Sequence, residues 1–251
     1  MIFTAGSAAL LLAAGVMAGI VGTAGGITSL VSYPALLAVG VPALPANVAS
    51  LIAGVACWPG SLLVSQRELT GSRRFLTRGL PVAAVGAGAG SGLLLTTPPG
   101  VFARVVPWLV VAGSVALLAQ PWLTARRARR AHPTAGWTLL GVGTVSIYGG
   151  YFGAGSGVMM LALLLVLVDA RFPSANASKN MLIGAGGAAS AVLLIVAGPV
   201  DWRAVTPLAI GLFAGSLIGP RVASRVPASV VRWAVAGLGL VLAVRLWLEP
   251  H

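Results

Sequence analysis

The chain has 251 residues; 58% are hydrophobic, only 8% are charged, and the mean hydropathy is +0.98. An average soluble domain carries about 25% charged residues, so a soluble enzyme or binding domain is excluded, and disorder requires low hydrophobicity. The apolar runs are continuous, whereas barrel strands alternate, so the reading is an all-α polytopic membrane protein.

The first apolar stretch, Ile2 to Val41, is too long for one crossing of about 20 residues. The segment Gly22-Thr23-Ala24-Gly25-Gly26 divides it into helices at about 2–22 and 27–39. Pro42 and Pro45 flank a turn, and further helices fit at about 45–65, 75–96 and 101–123. Arg126, Arg127, Arg129, Arg130, His132 and Pro133 mark a linker over 124–134. Helices then fit at about 135–152, 157–169, 174–197, 202–223 and 227–248. The short one again follows glycines, Gly153-Ala154-Gly155-Ser156-Gly157. Each short helix has about 13 residues, roughly 20 Å, which is less than the ~30 Å hydrocarbon core.

Two halves, 1–123 and 135–251, therefore each carry about five helical segments, with a glycine-broken short helix after the first. A shift of 129 places Asn47 on Asn176, Arg74 on Arg203, Gly86 on Gly215 and Gly90 on Gly219. A shift of 131 places Gly19, Gly22 and Gly26 on Gly150, Gly153 and Gly157. The net charge of +12 reads as topology, because Lys and Arg concentrate in cytoplasmic loops. With the linker inside, the loop bearing Arg67, Arg73, Arg74 and Arg78 is also inside, and Pro98-Pro99-Gly100 is outside. An inverted second half keeps Asp169–Arg171 and Arg221–Arg225 inside; a parallel one exports two of those arginines. Inverted repeats are a common transporter architecture.

The glycine breaks are the first candidate site: Gly22, Thr23, Gly25 and Gly26, and Gly153, Gly155, Ser156 and Gly157. Irregular backbone at membrane depth must be buried in protein or line a cavity. A helix restarting there offers free N–H groups and a positive dipole end to an anion. Thr28 and Ser29 add hydroxyls; close helix packing is the competing reading. Asn176, Lys179 and Asn180 share a helix face, and Asn47 and Ser50 are their counterparts. Lys179 is the only lysine, and a cation within an apolar helix is expensive and usually functional, unless it snorkels to an interface.

Glu68, Asp169, Asp201 and Glu249 all fall near helix ends, so a carboxylate relay through the core is not expected. If protons are coupled, the substrate or the Asp169–Lys179 region carries them. Six tryptophans, at 108, 122, 137, 202, 233 and 247, read as interfacial anchors, whereas Trp58 lies mid-segment beside Pro59 and either lines a cavity or packs at a kink. Tyr33, Tyr148 and Tyr151 flank the glycines and either donate hydroxyls to a ligand or serve ordinary packing or an interface. Cys57 is the only cysteine, and His132 and His251 lack partners at metal-ligand spacing, so no metal or cofactor is expected. No nucleophile–base pair suggests an enzyme. Met1 to Thr4 lack a positive region, so no cleaved signal peptide is expected.

Gly19-x-x-Gly22-x-x-Gly25-Gly26, Ala46-Asn47-Val48, Pro59-Gly60 and Arg67-Glu68-Leu69 resemble the first repeat of the TauE/SafE family. Tyr151-Phe152-Gly153-Ala154-Gly155-Ser156-Gly157-Val158-Met159 and Asn176-Ala177-Ser178-Lys179-Asn180 resemble its second. These are sulfite and organosulfonate exporters, also called toluene-sulfonate uptake permeases. The resemblance implies a carrier of the bacterial inner membrane for a small sulfur anion such as sulfite, sulfoacetate or thiosulfate, and the two repeats suggest alternating access around a pseudo-twofold site. Ser156 interrupts the second paired glycine and Ser50 stands where many members carry a polar pair, which leaves the substrate open. An anion channel and a non-transporting membrane subunit are the rival readings. The expected partners are the anion and the lipid bilayer, with homo-oligomerisation left open and no nucleic acid.

Overall fold

The computed structural model describes residues 4–125, 135–169, 171–223 and 228–248. The basic residues at 126, 127, 129 and 130, together with His132, Pro133, Arg225, Glu249 and His251, lie outside the described residues. Among the described residues eleven α-helices follow one another: α1 (Ala5–Gly25), α2 (Thr28–Ala38), α3 (Ala43–Gly54), α4 (Cys57–Ser65), α5 (Arg73–Thr96), α6 (Pro99–Ala125), α7 (Ala135–Tyr151), α8 (Ser156–Leu167), α9 (Phe172–Ala197), α10 (Trp202–Ala223) and α11 (Ala228–Leu248). A 3₁₀ segment, Gln66–Ser72, joins α4 to α5. The described residues contain no strand.

Among the described residues, six stretches are long and apolar enough to cross a membrane, and one of them, Ala43–Leu62, runs across the α3–α4 junction. The outer surface agrees with that: Val85, Val192 and Val196 point outward, as do Trp108, Trp122, Trp137, Trp202, Trp233 and Trp247. The chain is an integral membrane protein, and its outer face is solvated by lipid.

Two junctions differ from expectation. The helix expected over 45–65 is broken at Val55-Ala56. Pro59 has no N–H for the Val55 carbonyl, and its ring would press on that oxygen. Trp58 N donates to Val55 O instead (2.9 Å), and Ala56 N donates to Ala53 O (3.0 Å), so the chain passes the break in tight i to i−3 turns. The first glycine break is also shorter than expected. Helix α1 continues to Gly25, and Gly26 ends it with φ 77°, its N–H bonding Gly22 O at 2.7 Å. Only Gly26 and Ile27 separate α1 from α2.

Two glycine seams assemble the bundle. Gly15 of α1 lies against Leu208, Gly211 and Leu212 of α10, Gly19 against Leu212 and Ser216, and Thr23 against Gly219. The contacts ascend together, so α1 and α10 run parallel. Likewise Gly86 of α5 lies on Gly143 and Ser146 of α7, and Gly90 on Ile147 and Tyr151. Small residues let backbones approach closely where lipid supplies no hydrophobic drive between helices. Helices α6 and α11 pack antiparallel, with Trp108 edge-on to Trp247 at 4.9 Å.

A Cβ on Gly15 would sit 2.5 Å from Leu208 O, whereas one on Gly237 meets nothing within 4 Å. Gly15→Leu should therefore lower the thermal midpoint of the detergent-solubilised protein, by the equivalent of about 1–3 kcal/mol or more. Gly237→Leu should leave it unchanged. Equal midpoints for the two variants would contradict the seam.

Candidate functional site

The two glycine breaks meet. A Cβ built on Gly26 would lie 2.5 Å from the Gly157 carbonyl carbon, and one on Gly157 would lie 2.5 Å from Gly26 O. No residue but glycine fits either place. Helices α2 and α8 both begin at this contact. Neither has a side-chain cap; Ser156 N bonds Gly153 O at 3.1 Å, and the other first-turn N–H groups have no partner within their own helix. Gly153 and Gly155 precede α8 with φ 81° and 78°, which turns the chain sharply enough to start a new helix there.

Beside the contact is a cavity of about 110 Å³. Of the residues expected at the site, Gly22, Thr23, Gly26, Ser50, Gly153, Ser156, Gly157, Lys179 and Asn180 line it, as do Thr28 and Ser29. Lys179 is only 1% exposed, so it does not snorkel to an interface. Its Nζ donates to Gly22 O at 3.4 Å, at the negative end of α1. Ser50 bonds Ser32 across the α2–α3 packing at 2.7 Å, and Ser156 Oγ donates to Gly153 O at 2.7 Å.

Asn47 and Asn176 do not line the cavity; they work behind it. Asn47 Nδ2 donates to Tyr151 O, the last residue of α7, at 2.9 Å. Asn176 Nδ2 donates to Thr23 O, in the last turn of α1, at 3.1 Å. Each asparagine thus takes up a carbonyl at a helix end contributed by the other half of the chain. Gly155 also stands back, its Cα face against Gly113 of α6. Gly25 ends α1, and its burial lies outside the described residues.

The tyrosines do not line the cavity either. Tyr148 OH donates to Ala154 O (2.6 Å) and holds the second glycine loop; Tyr151 OH reaches Thr97 at 3.4 Å. Tyr33 packs edge-on to Phe152 at 5.3 Å. Sequence reasoning missed Ser61, Ser146, Gly184, Gly186, Gly187 and Ser190, all of which line the cavity. Their signal is small residues in α4, α7 and α9, which reads equally well as packing.

No group of three or more His, Cys, Asp or Glu able to hold a metal occurs among the described residues. Asp169 lies outside the cavity and pairs with Arg171 at 3.0 Å. Hydrogen bonds from the Arg171 side chain and backbone hold its carboxyl down to about 2. It therefore stays charged near neutral pH and is poorly suited to carry a proton there.

Comparison with known proteins agrees with this architecture. The family profile described as "Sulfite exporter TauE/SafE" matches residues 7–246. The chain belongs to the TauE/SafE family. This TauE/SafE chain is 25% identical over 245 residues to the probable membrane transporter protein ORF9 of a Sinorhizobium species, across 96% of this chain and 93% of that one. It is 23% identical to the probable membrane transporter protein YfcA of Escherichia coli K12, across 94% and 87% of the two chains. A probable membrane transporter protein of Haemophilus influenzae is also 23% identical, across 95% and 93%. No solved structure gives a significant match. The protein is a membrane transporter of the TauE/SafE family, and its relatives' names point away from an enzyme.

Because the Asp169 carboxyl sits below its ordinary value, its stabilising contribution is complete above the unfolded carboxyl range and is lost as pH falls through about 2. Asp169→Asn should accordingly leave the shape of the pH profile of transport unchanged between about pH 5 and pH 8. A profile displaced by the substitution would restore Asp169 as a proton carrier.

Proposed function

We propose that the chain carries a small sulfur-containing oxyanion, of the sulfite, sulfoacetate or thiosulfate class, by alternating access across the bacterial inner membrane. The observation that carries this reading is one buried lysine in a small cavity where two uncapped helix starts converge. The first-turn N–H groups of α2 and α8 and the hydroxyls of Thr28, Ser29 and Ser50 would replace the anion's hydration shell. Lys179 would supply countercharge, and Asn180 a further amide donor. The carbonyls that would repel an anion are already engaged, by Lys179 at Gly22 and by the two asparagines at Thr23 and Tyr151. The family name supports sulfur oxyanions as the class.

We read the halves 1–123 and 135–251 as inverted repeats joined by the linker 124–134. Two observations support that. The α1–α10 seam and the α7–α5 seam are counterparts under the 129–131 shift, because Gly19 corresponds to Gly150, Gly215 to Gly86 and Gly219 to Gly90. The hydroxyls of Ser72 and Ser174 lie 3.4 Å apart, so the loops before α5 and α9 share one end of the bundle. Inversion puts those two loops on one side, and a parallel repeat separates them. Rocking of one half against the other would then open the cavity to each side in turn.

Insertion scales put a lysine at the centre of a membrane helix at roughly 2.5–3.5 kcal/mol of cost. Lys179→Met removes that cost along with the charge. In proteoliposomes the wild type should show saturable sulfite flux, and the variant should lose at least about tenfold while its thermal midpoint holds or rises. Undiminished flux in the variant would remove Lys179 from the site. Absence of wild-type flux with sulfite, thiosulfate and sulfoacetate would overturn the substrate class.

A further inference from the structure

Six of the seven tryptophans sit on the outer surface, between 47% and 68% exposed. The seventh, Trp58, is turned inward and lines the cavity. Two features hold it there. The break before Pro59 starts α4 as a separate helix, and Trp58 in its first turn lies against Gly184 of α9. Gly184 of α9 has no side chain, and the Cδ1–Nε1 edge of the indole occupies the space a Cβ would need. Gly184 lies one helical turn beyond Asn180, on the same face, and both line the cavity with Lys179.

The indole Nε1–H is buried and has no hydrogen-bond acceptor among the described residues. An indole nitrogen can only donate, and a buried donor without a partner is destabilising, so such groups are rare without a role. Nearby polar groups do not relieve it. Ser61 Oγ donates to the Trp58 carbonyl (2.9 Å), and Cys57 Sγ points to Leu212 O (3.7 Å). The cavity wall thus holds a lysine and two helix starts without side-chain caps, and the unpaired indole N–H belongs to a residue of that same wall.

Resting on the oxyanion reading above, we infer that Trp58 is a substrate-binding residue whose Nε1–H donates to an oxygen of the bound anion. Lys179 supplies charge from any direction. The indole supplies a fixed direction, and it therefore favours anions with an oxygen placed to accept from it over halides of similar size. Gly184 and Pro59 act as positioning residues for the ring.

The test combines transport with a direct view of the indole. Sulfite flux in proteoliposomes should show KM raised about tenfold or more in Trp58→Phe and in Trp58→Ala alike, with kcat less affected, since both remove the donor and only the second removes the ring. In ¹⁵N-tryptophan-labelled wild-type protein in detergent, one indole N–H resonance should move saturably with sulfite and remain still with chloride, and the six outer indoles should not move. This measurement needs no variant to fold. Unchanged KM in Trp58→Phe, or no indole resonance responding to sulfite while the wild type transports it, would overturn the role of Trp58. No wild-type flux of any sulfur oxyanion would overturn the functional reading and this inference with it.

Discussion

Lipid offers no hydrogen bonds, so every interruption of a membrane helix must be repaired by the protein itself. This molecule interrupts its backbone between α1 and α2, between α3 and α4, and between α7 and α8. The repairs are unequal in sign. Carbonyls at the ends of α1 and α7 receive donors from Lys179, Asn176 and Asn47, each reaching across from the other half of the chain. Amides at the starts of α2 and α8 receive no side-chain acceptor. The imbalance leaves a cavity surrounded by donors. On the reading proposed above, a preference for negative charge would follow from which half of each broken peptide ladder has been satisfied.

The glycine seams are what allow the breaks to meet. Parallel contact of α1 with α10 and of α5 with α7 brings both broken ends inward, until Gly26 and Gly157 touch backbone to backbone. The α6–α11 pair closes the bundle alongside. One shortage of side chains serves two ends here, close helix approach and room for a ligand, and for that reason the glycines taken singly could not be sorted into packing and function.

Much of the fold was legible because hydropathy is a direct record of lipid contact. Segment ends from α5 to α11 fall within a few residues of expectation, and the six outward tryptophans were identifiable from their places near segment ends. The α3–α4 break was misread although its cause, Pro59, is plain in the sequence; a proline early in α4 is compatible with a continuous kinked helix as well as with two helices. Asn47 and Asn176 were recognised as special from their matching positions, but their task was not. A shared helical face says which residues are neighbours and not which of them points at a cavity and which at a carbonyl from another helix. The sequence alone leaves Trp58 between two readings for the same reason, since Gly184, the residue that admits its ring, is more than a hundred positions away.

The α1–α10 seam also bears on how the protein is made. The surface that receives Gly15 and Gly19 begins at Leu208. At about 5–20 residues per second, the ribosome needs roughly 10–40 s to travel from one to the other. Throughout that interval α1 resides in the bilayer with its glycine stripe against acyl chains, which cannot fill a groove as a helix backbone does. A nascent chain stalled before α10 would carry an unmet small-residue stripe, distinguishable from the finished protein by any factor that surveys orphaned membrane helices. The same contact that shapes the transporter core thus doubles as a sign that synthesis has passed α10.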